Sequence, residues 1–286
     1  MSPTVSVLIP CYNAARHIGN VVAALQNQTR LPDEIIVVDD HSTDESVQIL
    51  RDLPVRLICH AENQGPAAAR NTALHAATAD IVIFIDSDAY PDPHMLQNLL
   101  ESYAQPSSKP LAGVGGRGIE SNIQNLFDRW RSLHARQDFG PRPRDGVQYL
   151  FGLCMSYYRE AILAVGGFDT SYPINAGEDF DLGFRLMRRG YLLRYTPEAV
   201  VYHQHSDDEA RLKRVQSNWY YWSFLAKRRT GYNPWTLVAG TLRRLITDTM
   251  TDLFLRRDLA LAKLDLEISW IKLRALFKAA LTKPAK

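Results

Sequence analysis

Cysteine is scarce in this chain of 286 residues, which contains only three. Cys11, Cys59 and Cys154 are widely spaced, odd in number and never arranged as a CxxC pair. This pattern argues against both a disulfide framework and a structural zinc site. We therefore expect the protein to work in a reducing compartment, the cytoplasm.

Long hydrophobic runs are also missing. No stretch approaches the ~18 consecutive apolar residues that a membrane-spanning helix requires. The N-terminal segment MSPTVSVLIP lacks the basic region that begins a signal peptide. The sequence thus predicts neither a transmembrane helix nor secretion.

A strong net charge is the third missing feature, because the formal charge at pH 7 is only +2. Such a balance gives no indication of nucleic-acid binding. The charge is unevenly distributed, however. Residues 205–286 hold 16 Lys and Arg against 8 Asp and Glu, whereas residues 1–204 hold 17 against 23. An acidic body therefore carries a basic C-terminal segment.

The first hundred residues alternate between β-branched runs and helical patterns. Strands are predicted at 5–9, 34–38, 55–59 and 81–85, and helices between them at 14–29, 43–53 and 65–78. Strict alternation of this kind implies right-handed crossovers and a parallel sheet. The predicted fold class is α/β, with a Rossmann-like, mostly parallel central sheet flanked by helices.

Beyond Pro106 the pattern indicates a mixed continuation of the sheet. Strands are predicted near 111–116, 147–153 and 192–202, and helices at about 122–137, 159–165 and 178–190. From about residue 206 the pattern is almost wholly helical, which predicts a C-terminal helical extension.

Polar residues collect where the predicted strands end. Ligands of an open parallel sheet bind beyond the carboxyl ends of its strands. Each polar group alone is also typical of a helix cap, a turn or a surface residue, but four successive groups indicate one polar cleft. The residues concerned are Pro10, Tyr12, Asn13, Asp39, Asp40, Asn63, Gly65, Asp86 and Asp88.

The apolar strand IVIFI, residues 81–85, ends on two carboxylates one residue apart, Asp86 and Asp88. A divalent cation bound at this position would explain why two acids that repel each other stand there. Mg²⁺ and Mn²⁺ prefer carboxylate oxygen and keep coordination positions for substrate phosphates. We expect Asp88 to bind the ion directly and Asp86 to bind through water or a sugar hydroxyl.

The neighbouring strand ends suit a nucleotide. Tyr12 can pack against a base, and Asp39 can accept hydrogen bonds from a base or a ribose. Arg70, one helical turn beyond Gly65, can neutralise a phosphate. Together with the metal, these residues describe a site for a nucleoside diphosphate.

This ordered series of motifs resembles glycosyltransferases of family 2, which have the GT-A fold. The resemblance covers about residues 4–205, and the Asp86-x-Asp88 pair is the motif that the family calls DxD. The other matching motifs are Pro10-x-Tyr12-Asn13, Val38-Asp39-Asp40-x-Ser42, Asn63-x-Gly65, Ala69-Arg70-Asn71, Gly166-Gly167-Phe168-Asp169 and Gly177-Glu178-Asp179-Phe180-Asp181-Leu182 followed by Arg185.

The resemblance implies an inverting, metal-dependent transfer of a sugar from a nucleoside diphosphate donor to a hydroxyl of a glycan or lipid-linked acceptor. It assigns Asp179 as the general base and Glu178 as a contact that binds the acceptor or orders a loop, although two acids at a helix start also complement the helix dipole. Asp181 is expected to cap the helix or form a salt bridge. His203 is the favoured candidate to reach the metal or the diphosphate, and His205 is the other candidate.

The resemblance also implies a division of the chain. Residues 1–205 are predicted to form the catalytic domain, with a nucleotide-binding half at about 1–105 and an acceptor-binding half at 106–205. Gly152 in the second half is expected to let the acceptor sugar approach the backbone. The basic helical segment 206–286 is expected to lie peripherally on the inner face of a membrane, to pack on the catalytic domain or to mediate dimerisation.

Three other features bear on the alternatives. The Gln-x-x-Arg-Trp motif of processive synthases is absent, since the nearest stretch is RVQSNW at 214–219, so one sugar is expected per encounter. GVGGRG at 113–118 fits GxGxxG but lacks the strand and helix context of a dinucleotide site, and it predicts a bulged strand that lines the sugar site. A nucleotidyltransferase would need a glycine-rich loop after the first strand. A non-catalytic sugar-nucleotide-binding protein would not need the metal-binding acids and the base.

Overall fold

The computed structural model describes residues 3–174 and 176–282. Its contacts divide the chain into two units. The first unit comprises Met1–Ser121 and Gln137–Gln204, and the second comprises Asn122–Arg136 and His205–Lys286. The segment 122–136, which the sequence analysis assigns to the acceptor-binding half, therefore belongs to the second unit.

The first unit is built on one mixed sheet, in which a parallel part continues into an antiparallel part. The strand order is β3-β2-β1-β4-β8-β6-β9-β5, and β7 pairs with β9. The strands are β1 Val5–Cys11, β2 Glu34–Asp39, β3 Arg56–Cys59, β4 Ile81–Ile85, β5 Ala89–Pro91, β6 Leu111–Glu120, β7 Arg144–Asp145, β8 Cys154–Tyr158 and β9 Leu192–His203.

Helices of the first unit connect these strands, and those of the second unit form a helical body. The segments α5, α8, α9 and α10 belong to the second unit. The helices are α1 Ile18–Gln26, α2 Ser46–Arg51, α3 Pro66–Ala76, α4 Met95–Tyr103, α5 Leu126–His134, α6 Arg159–Ala164, α7 Glu178–Arg188, α8 Glu209–Arg229, α9 Trp235–Met250, a π-helical segment Thr251–Leu255, and α10 Leu259–Leu281.

The alternation of side chains along β4 explains why the sheet is buried on both faces. Ile81, Ile83 and Ile85 pack into one apolar cluster, whereas Val82 and Phe84 pack into the other. All five side chains are inaccessible to solvent. Burial on both faces is typical of parallel strands covered by helices, and the predicted α/β fold with a helical C-terminal region is confirmed.

Strand pairing brings the carboxyl end of β4 next to the end of β9. Ala89 in β5 pairs with His203 in β9, and Glu120 in β6 pairs with the same histidine from the other side. The two strands therefore place Asp88, which precedes Ala89, beside residues that are more than a hundred positions away in sequence.

The prediction of a strand at 147–153 is wrong. Its apolar residues, including Leu150 and Leu153, are buried, but the backbone is irregular until β8 begins at Cys154. Burial alone therefore produced the apolar pattern. Helix α4 and the short strands β5 and β7 were not predicted.

The GxGxxG stretch lies within the long strand β6, as expected. Its register against β9 shifts between Leu111 and Gly113 and again between Gly115 and Arg117, so the predicted bulged strand is confirmed. A Cβ atom on Gly116 would overlap the carbonyl oxygen of Ala199 on β9. Close packing of backbones, and not a dinucleotide, explains this glycine.

Among the residues that the structure describes, no helix combines the length and the apolar character that a bilayer crossing requires.

Candidate functional site

The two acids after β4 contact different partners, although only one residue separates them. Asp88 Oδ2 lies 3.4 Å from His203 Nε2, and the side chain of Asp88 is 27% exposed. The other ring nitrogen of His203, Nδ1, lies 3.1 Å from Glu120. Burial of the ring opposes protonation, but hydrogen bonds to Asp88 and Glu120 raise the pKa of His203 to about 10.

This arrangement fits a divalent cation. A carboxylate oxygen and an imidazole nitrogen 3.4 Å apart are close enough to share one ion, and both are ligand types that Mn²⁺ accepts. Glu120 holds the second ring nitrogen, as carboxylates do behind many metal-bound histidines. Glu120 could not be identified from the sequence, because only the pairing of β6 with β9 brings it beside His203.

Asp86 pairs with a buried arginine instead, although its side chain is 23% exposed, almost as much as that of Asp88. Its Oδ1 accepts a hydrogen bond of 3.0 Å from Arg70 Nη2. Arg70 Nη1 donates a hydrogen bond of 2.7 Å to Glu178 Oε1, and the guanidinium lies 5.5 Å from the centre of the Phe168 ring. Burial raises the pKa of Asp86, although the charge of Arg70 partly opposes this shift.

The expectation that Arg70 neutralises a substrate phosphate is not met in this structure. The side chain is completely buried, and two of its nitrogens donate to carboxylates. Arg70 therefore links an acid at the end of β4 to an acid at the start of α7. Gly152 packs against this link, because a Cβ atom there would lie 3.4 Å from Arg70 Nη2.

Two acids begin α7, and both are nearly inaccessible to solvent. Glu178 Oε2 is buried and accepts no hydrogen bond within the described part of the chain, while Asp179 Oδ1 accepts one from the amide of Phe180. Burial and the charge of Glu178 raise the pKa of Asp179 to about 8. Two residues after Asp179, the side chain of Asp181 forms the expected salt bridge, 2.6 Å from Arg185 Nε.

The strand-end residues near α3 hold one another. Asp40 accepts hydrogen bonds from the amides of Gln64 and Gly65 and lies 2.7 Å from His60 Nδ1. The side chain of Asn63 donates to the carbonyl oxygen of Asp40. Asp40, Asn63 and Gly65 thus shape the turn that begins α3.

Tyr12, in the loop after β1, and Asp39, at the end of β2, each have a group available for a ligand. The ring of Tyr12 is 52% exposed. Asp39 Oδ1 is buried and accepts no hydrogen bond from any described residue, while Oδ2 accepts one from the amide of Ser42. Asn13 holds this loop in place, since its side-chain oxygen accepts a hydrogen bond from the amide of Thr43.

Two further predicted residues have clear positions. Pro10 lies in β1 opposite Val38 of β2, beyond the part of β1 that pairs with β4. Its missing amide hydrogen therefore costs no bond to β4. His205 lies 3.0 Å from Asp207, whereas His203 contacts Asp88, so His203 is the histidine beside the acidic pair.

The second unit contains another group of potential metal ligands that the sequence analysis missed. Within the described residues, His134, Asp248 and Asp265 bring one ligand atom each to within 4.8 Å of one another. Asp252 lies 2.9 Å from His134 and is itself paired with Arg256. Trp130 and Thr249 donate hydrogen bonds to Asp265. Together with the charge of Arg256, these bonds make the group a buried polar network that joins α5, α9 and α10.

Comparison with known proteins gives a consistent result. The sequence matches the family described as "Glycosyl transferase family 2" over residues 6–166. A pre-mycofactocin glycosyltransferase of Mycobacterium tuberculosis is 36% identical over 211 residues, which cover 70% of this chain and 43% of that protein. The O-antigen chain rhamnosyltransferase RfbN of Salmonella typhimurium is 29% identical over 219 residues, which cover 71% of this chain and 67% of that protein.

Solved structures share the fold. The mannosyltransferase PcManGT from Pyrobaculum calidifontis, in complex with GDP-Man and Mn²⁺, superposes with a TM-score of 0.62 at 22% identity, over 99% of this chain and 77% of that one. Residues 1–349 of S. aureus TarS, in complex with UDP, give a TM-score of 0.54 at 16% identity, over 96% of this chain and 90% of that one. At these identities the likeness shows the GT-A fold alone.

Replacement of the buried arginine tests the link between the acids. Arg70→Met leaves Asp86 and Glu178 without their shared cation, so we expect the free energy of unfolding to fall by about 3–5 kcal/mol. Urea denaturation followed by circular dichroism measures this change.

Arg30→Met is the matched control, because Arg30 pairs with Asp33 at the surface, where both side chains are at least 32% exposed. Its loss should cost less than about 1 kcal/mol. Equal losses in the two variants would show that Arg70 does not compensate buried charge.

Proposed function

The chain belongs to glycosyl transferase family 2, and on that premise we propose that it transfers a sugar from a nucleoside diphosphate donor to a hydroxyl group of an acceptor. The observation that carries the proposal is the buried link from Asp86 through Arg70 to Glu178. Asp86 lies two residues before Asp88, and Glu178 lies one residue before Asp179. Donor-binding and acceptor-binding groups are thereby held at one site, as a transfer between two substrates requires.

The donor side holds the nucleotide and a divalent cation, Mg²⁺ or Mn²⁺. Asp88 and His203 would hold this cation, since Asp88 Oδ2 and His203 Nε2 lie 3.4 Å apart. The exposed ring of Tyr12 packs on the base, and Asp39 Oδ1, a buried acceptor with no hydrogen bond among the described residues, receives a hydrogen bond from base or ribose. When bound, the cation supplies positive charge that stabilises the departing nucleoside diphosphate.

The acceptor side supplies the base. Asp179 takes the proton of the acceptor hydroxyl while that oxygen forms a bond to the anomeric carbon. The bond from the anomeric carbon to the diphosphate oxygen breaks on the opposite face, so this single displacement inverts the configuration. A carboxylate with a pKa of about 8 is well matched to take up a proton near neutral pH. Glu178 Oε2, buried and without a hydrogen bond among the described residues, binds a hydroxyl of the acceptor.

The acceptor is a glycan or a lipid-linked sugar, and each encounter adds one sugar because the processive motif is absent. This finer assignment is ours, since the matched region spans less than half of the length of the Mycobacterium relative. The basic second unit attaches either to a membrane surface or to a second copy of the chain, and it takes no part in the transfer step.

Two competing functions are less well supported. A nucleotidyltransferase would need a glycine-rich phosphate loop after β1, where this chain has Pro10, Tyr12 and Asn13. A non-catalytic nucleotide-sugar-binding protein would explain Asp88 and His203, but it has no use for a buried carboxylate whose pKa is raised towards neutrality.

Removal of the proposed metal ligand tests the donor side. We expect one of UDP, GDP or dTDP to raise the melting temperature of the wild-type protein only when Mn²⁺ is present. Asp88→Asn should weaken nucleotide binding in the presence of Mn²⁺ by ~10-fold or more, because a ligand is lost. Isothermal titration calorimetry measures the affinity.

Asp52→Asn is the control for this experiment, since it removes the same charge from an exposed position at the end of α2. It should leave the affinity unchanged. Nucleotide binding by Asp88→Asn that still depends on Mn²⁺ with wild-type affinity would remove Asp88 from the metal site.

Replacement of the proposed base tests the acceptor side. Asp179→Asn should lower kcat by ~10²–10⁴-fold with little effect on the donor KM. The wild-type rate should rise with pH and level off above about 8, because burial and Glu178 raise the pKa of Asp179 to about 8 and the base must be ionised. Chromatography of released nucleotide and glycosylated product measures both effects.

The same variant has a predicted effect on stability. The carboxyl of Asp179 titrates at a higher pH in the folded state than in the unfolded chain, so it reduces stability as pH rises from about 4 to about 8. Asp179→Asn should remain folded and should not show this decrease in stability with rising pH. Asp181→Asn, two residues further along the same helix, is the control. Its stability should depend on pH as that of the wild type does. Full activity of Asp179→Asn would show that another group is the base.

A further inference from the structure

Helix α10 exposes one continuous stripe of side chains along its outer face. The exposed positions follow each other at spacings of four, three, four, four, three and four residues, which keeps them on one side of a helix. Five of them are large and apolar, two are basic and none is acidic. They are Leu259, Lys263, Leu266, Trp270, Arg274, Phe277 and Leu281.

The other side of α10 is also apolar and is packed within the second unit. Leu261, Leu264, Ile268 and Leu276 are buried there. A helix that is apolar on both sides is normally covered on both sides. The outer stripe of α10 is thus a surface that water covers poorly, and Trp270 and Leu281 are 62% and 86% exposed.

A second exposed apolar stripe runs along the preceding helix. On α9 the side chains of Trp235, Leu242, Ile246 and Met250 are 46–64% exposed, and Phe254 in the π-helical segment continues the stripe at 66%. Helices α9 and α10 pack against each other. Exposed apolar surface on this scale is typical of an interaction site.

The charges beside these stripes are mostly positive. Of the five acids in the described range 235–282, Asp252 and Asp265 are buried, and Asp248, Asp258 and Glu267 are partly exposed, at 27%, 19% and 39% of their side chains. Seven basic side chains in the same range are exposed: Arg243, Arg244, Arg256, Arg257, Lys263, Arg274 and Lys278.

This charge pattern discriminates between the two kinds of surface that could cover the stripes. A symmetric pair of identical chains would bring these seven cations towards one another with only three partly exposed acids to offset them. An anionic lipid surface offers both the apolar layer for the stripes and the negative charge for the cations. Tryptophan, as at positions 235 and 270, is a residue that favours the boundary between lipid and water.

We propose that α9 and α10 lie in the plane of an anionic lipid bilayer, with their exposed apolar stripes among the acyl chains and their basic side chains at the lipid phosphates. The second unit is then a peripheral membrane anchor that does not cross the bilayer. This inference is independent of the transfer reaction, because it involves no residue of the proposed catalytic site.

Co-sedimentation of the full chain with vesicles tests the proposal. The protein should bind vesicles of phosphatidylcholine mixed with phosphatidylglycerol at low salt, bind them more weakly at high salt, and bind pure phosphatidylcholine least. The double variant Trp270→Glu, Phe277→Glu should reduce the partition coefficient on the anionic vesicles by roughly tenfold or more, with a circular dichroism spectrum like that of the wild type.

Leu31→Glu is the matched control, because Leu31 is a 54% exposed apolar residue of the first unit and its replacement should leave vesicle binding unchanged. The variant Arg243→Glu, Arg244→Glu keeps the apolar stripes and should abolish the preference for anionic over neutral vesicles. It also tests the proposal if the first variant fails to fold.

Two outcomes would overturn the proposal. One is the absence of binding to anionic vesicles at low salt. The other is a wild-type dimer in sedimentation velocity experiments that the Trp270→Glu, Phe277→Glu variant converts to a monomer, together with equal vesicle binding by both proteins. Sugar transfer to a water-soluble acceptor reports on the catalytic site separately and can persist in either case.

Discussion

A single buried arginine constrains the polar site of this protein. Arg70 has no exposed surface, and a guanidinium in the interior is tolerated only when carboxylates compensate its charge and accept its hydrogen bonds. Asp86 and Glu178 do so from opposite parts of the chain, one after β4 and the other at the start of α7. The requirement for charge compensation therefore fixes the end of the strand and the start of the helix relative to each other.

The positions of the neighbouring residues follow from that constraint. With Asp86 paired to Arg70, Asp88 is the acid that contacts His203. With Glu178 held by Arg70, Asp179 occupies a buried position, and burial together with the charge of Glu178 raises its pKa. On each side of the site Arg70 therefore holds one acid, and the acid nearby in sequence is the one for which we propose a role, Asp88 as a metal ligand and Asp179 as the base.

Much of the fold and part of the site could be predicted from the sequence. The alternation of β-branched runs and helices gave the parallel sheet, since burial on both faces produces unbroken apolar strands such as IVIFI. The same logic failed at 147–153, where apolar residues are buried without forming a strand. The role of Arg70 could not be predicted, because a pattern of residue types does not reveal that its partners lie 16 and 108 residues away. Glu120 was missed for a similar reason, and the contacts of Asp40 with His60 and with the amides of Gln64 and Gly65 could not be predicted either.

The most direct test of the central role of Arg70 is a double-mutant cycle in urea denaturation with Arg70→Met, Glu178→Gln and the combined variant. If the arginine is present to compensate the acid, removing both should cost less than the sum of the single losses, with a coupling energy of at least about 2 kcal/mol. Single losses that add to within about 0.5 kcal/mol would contradict a shared, charge-compensated link between the two sides of the site.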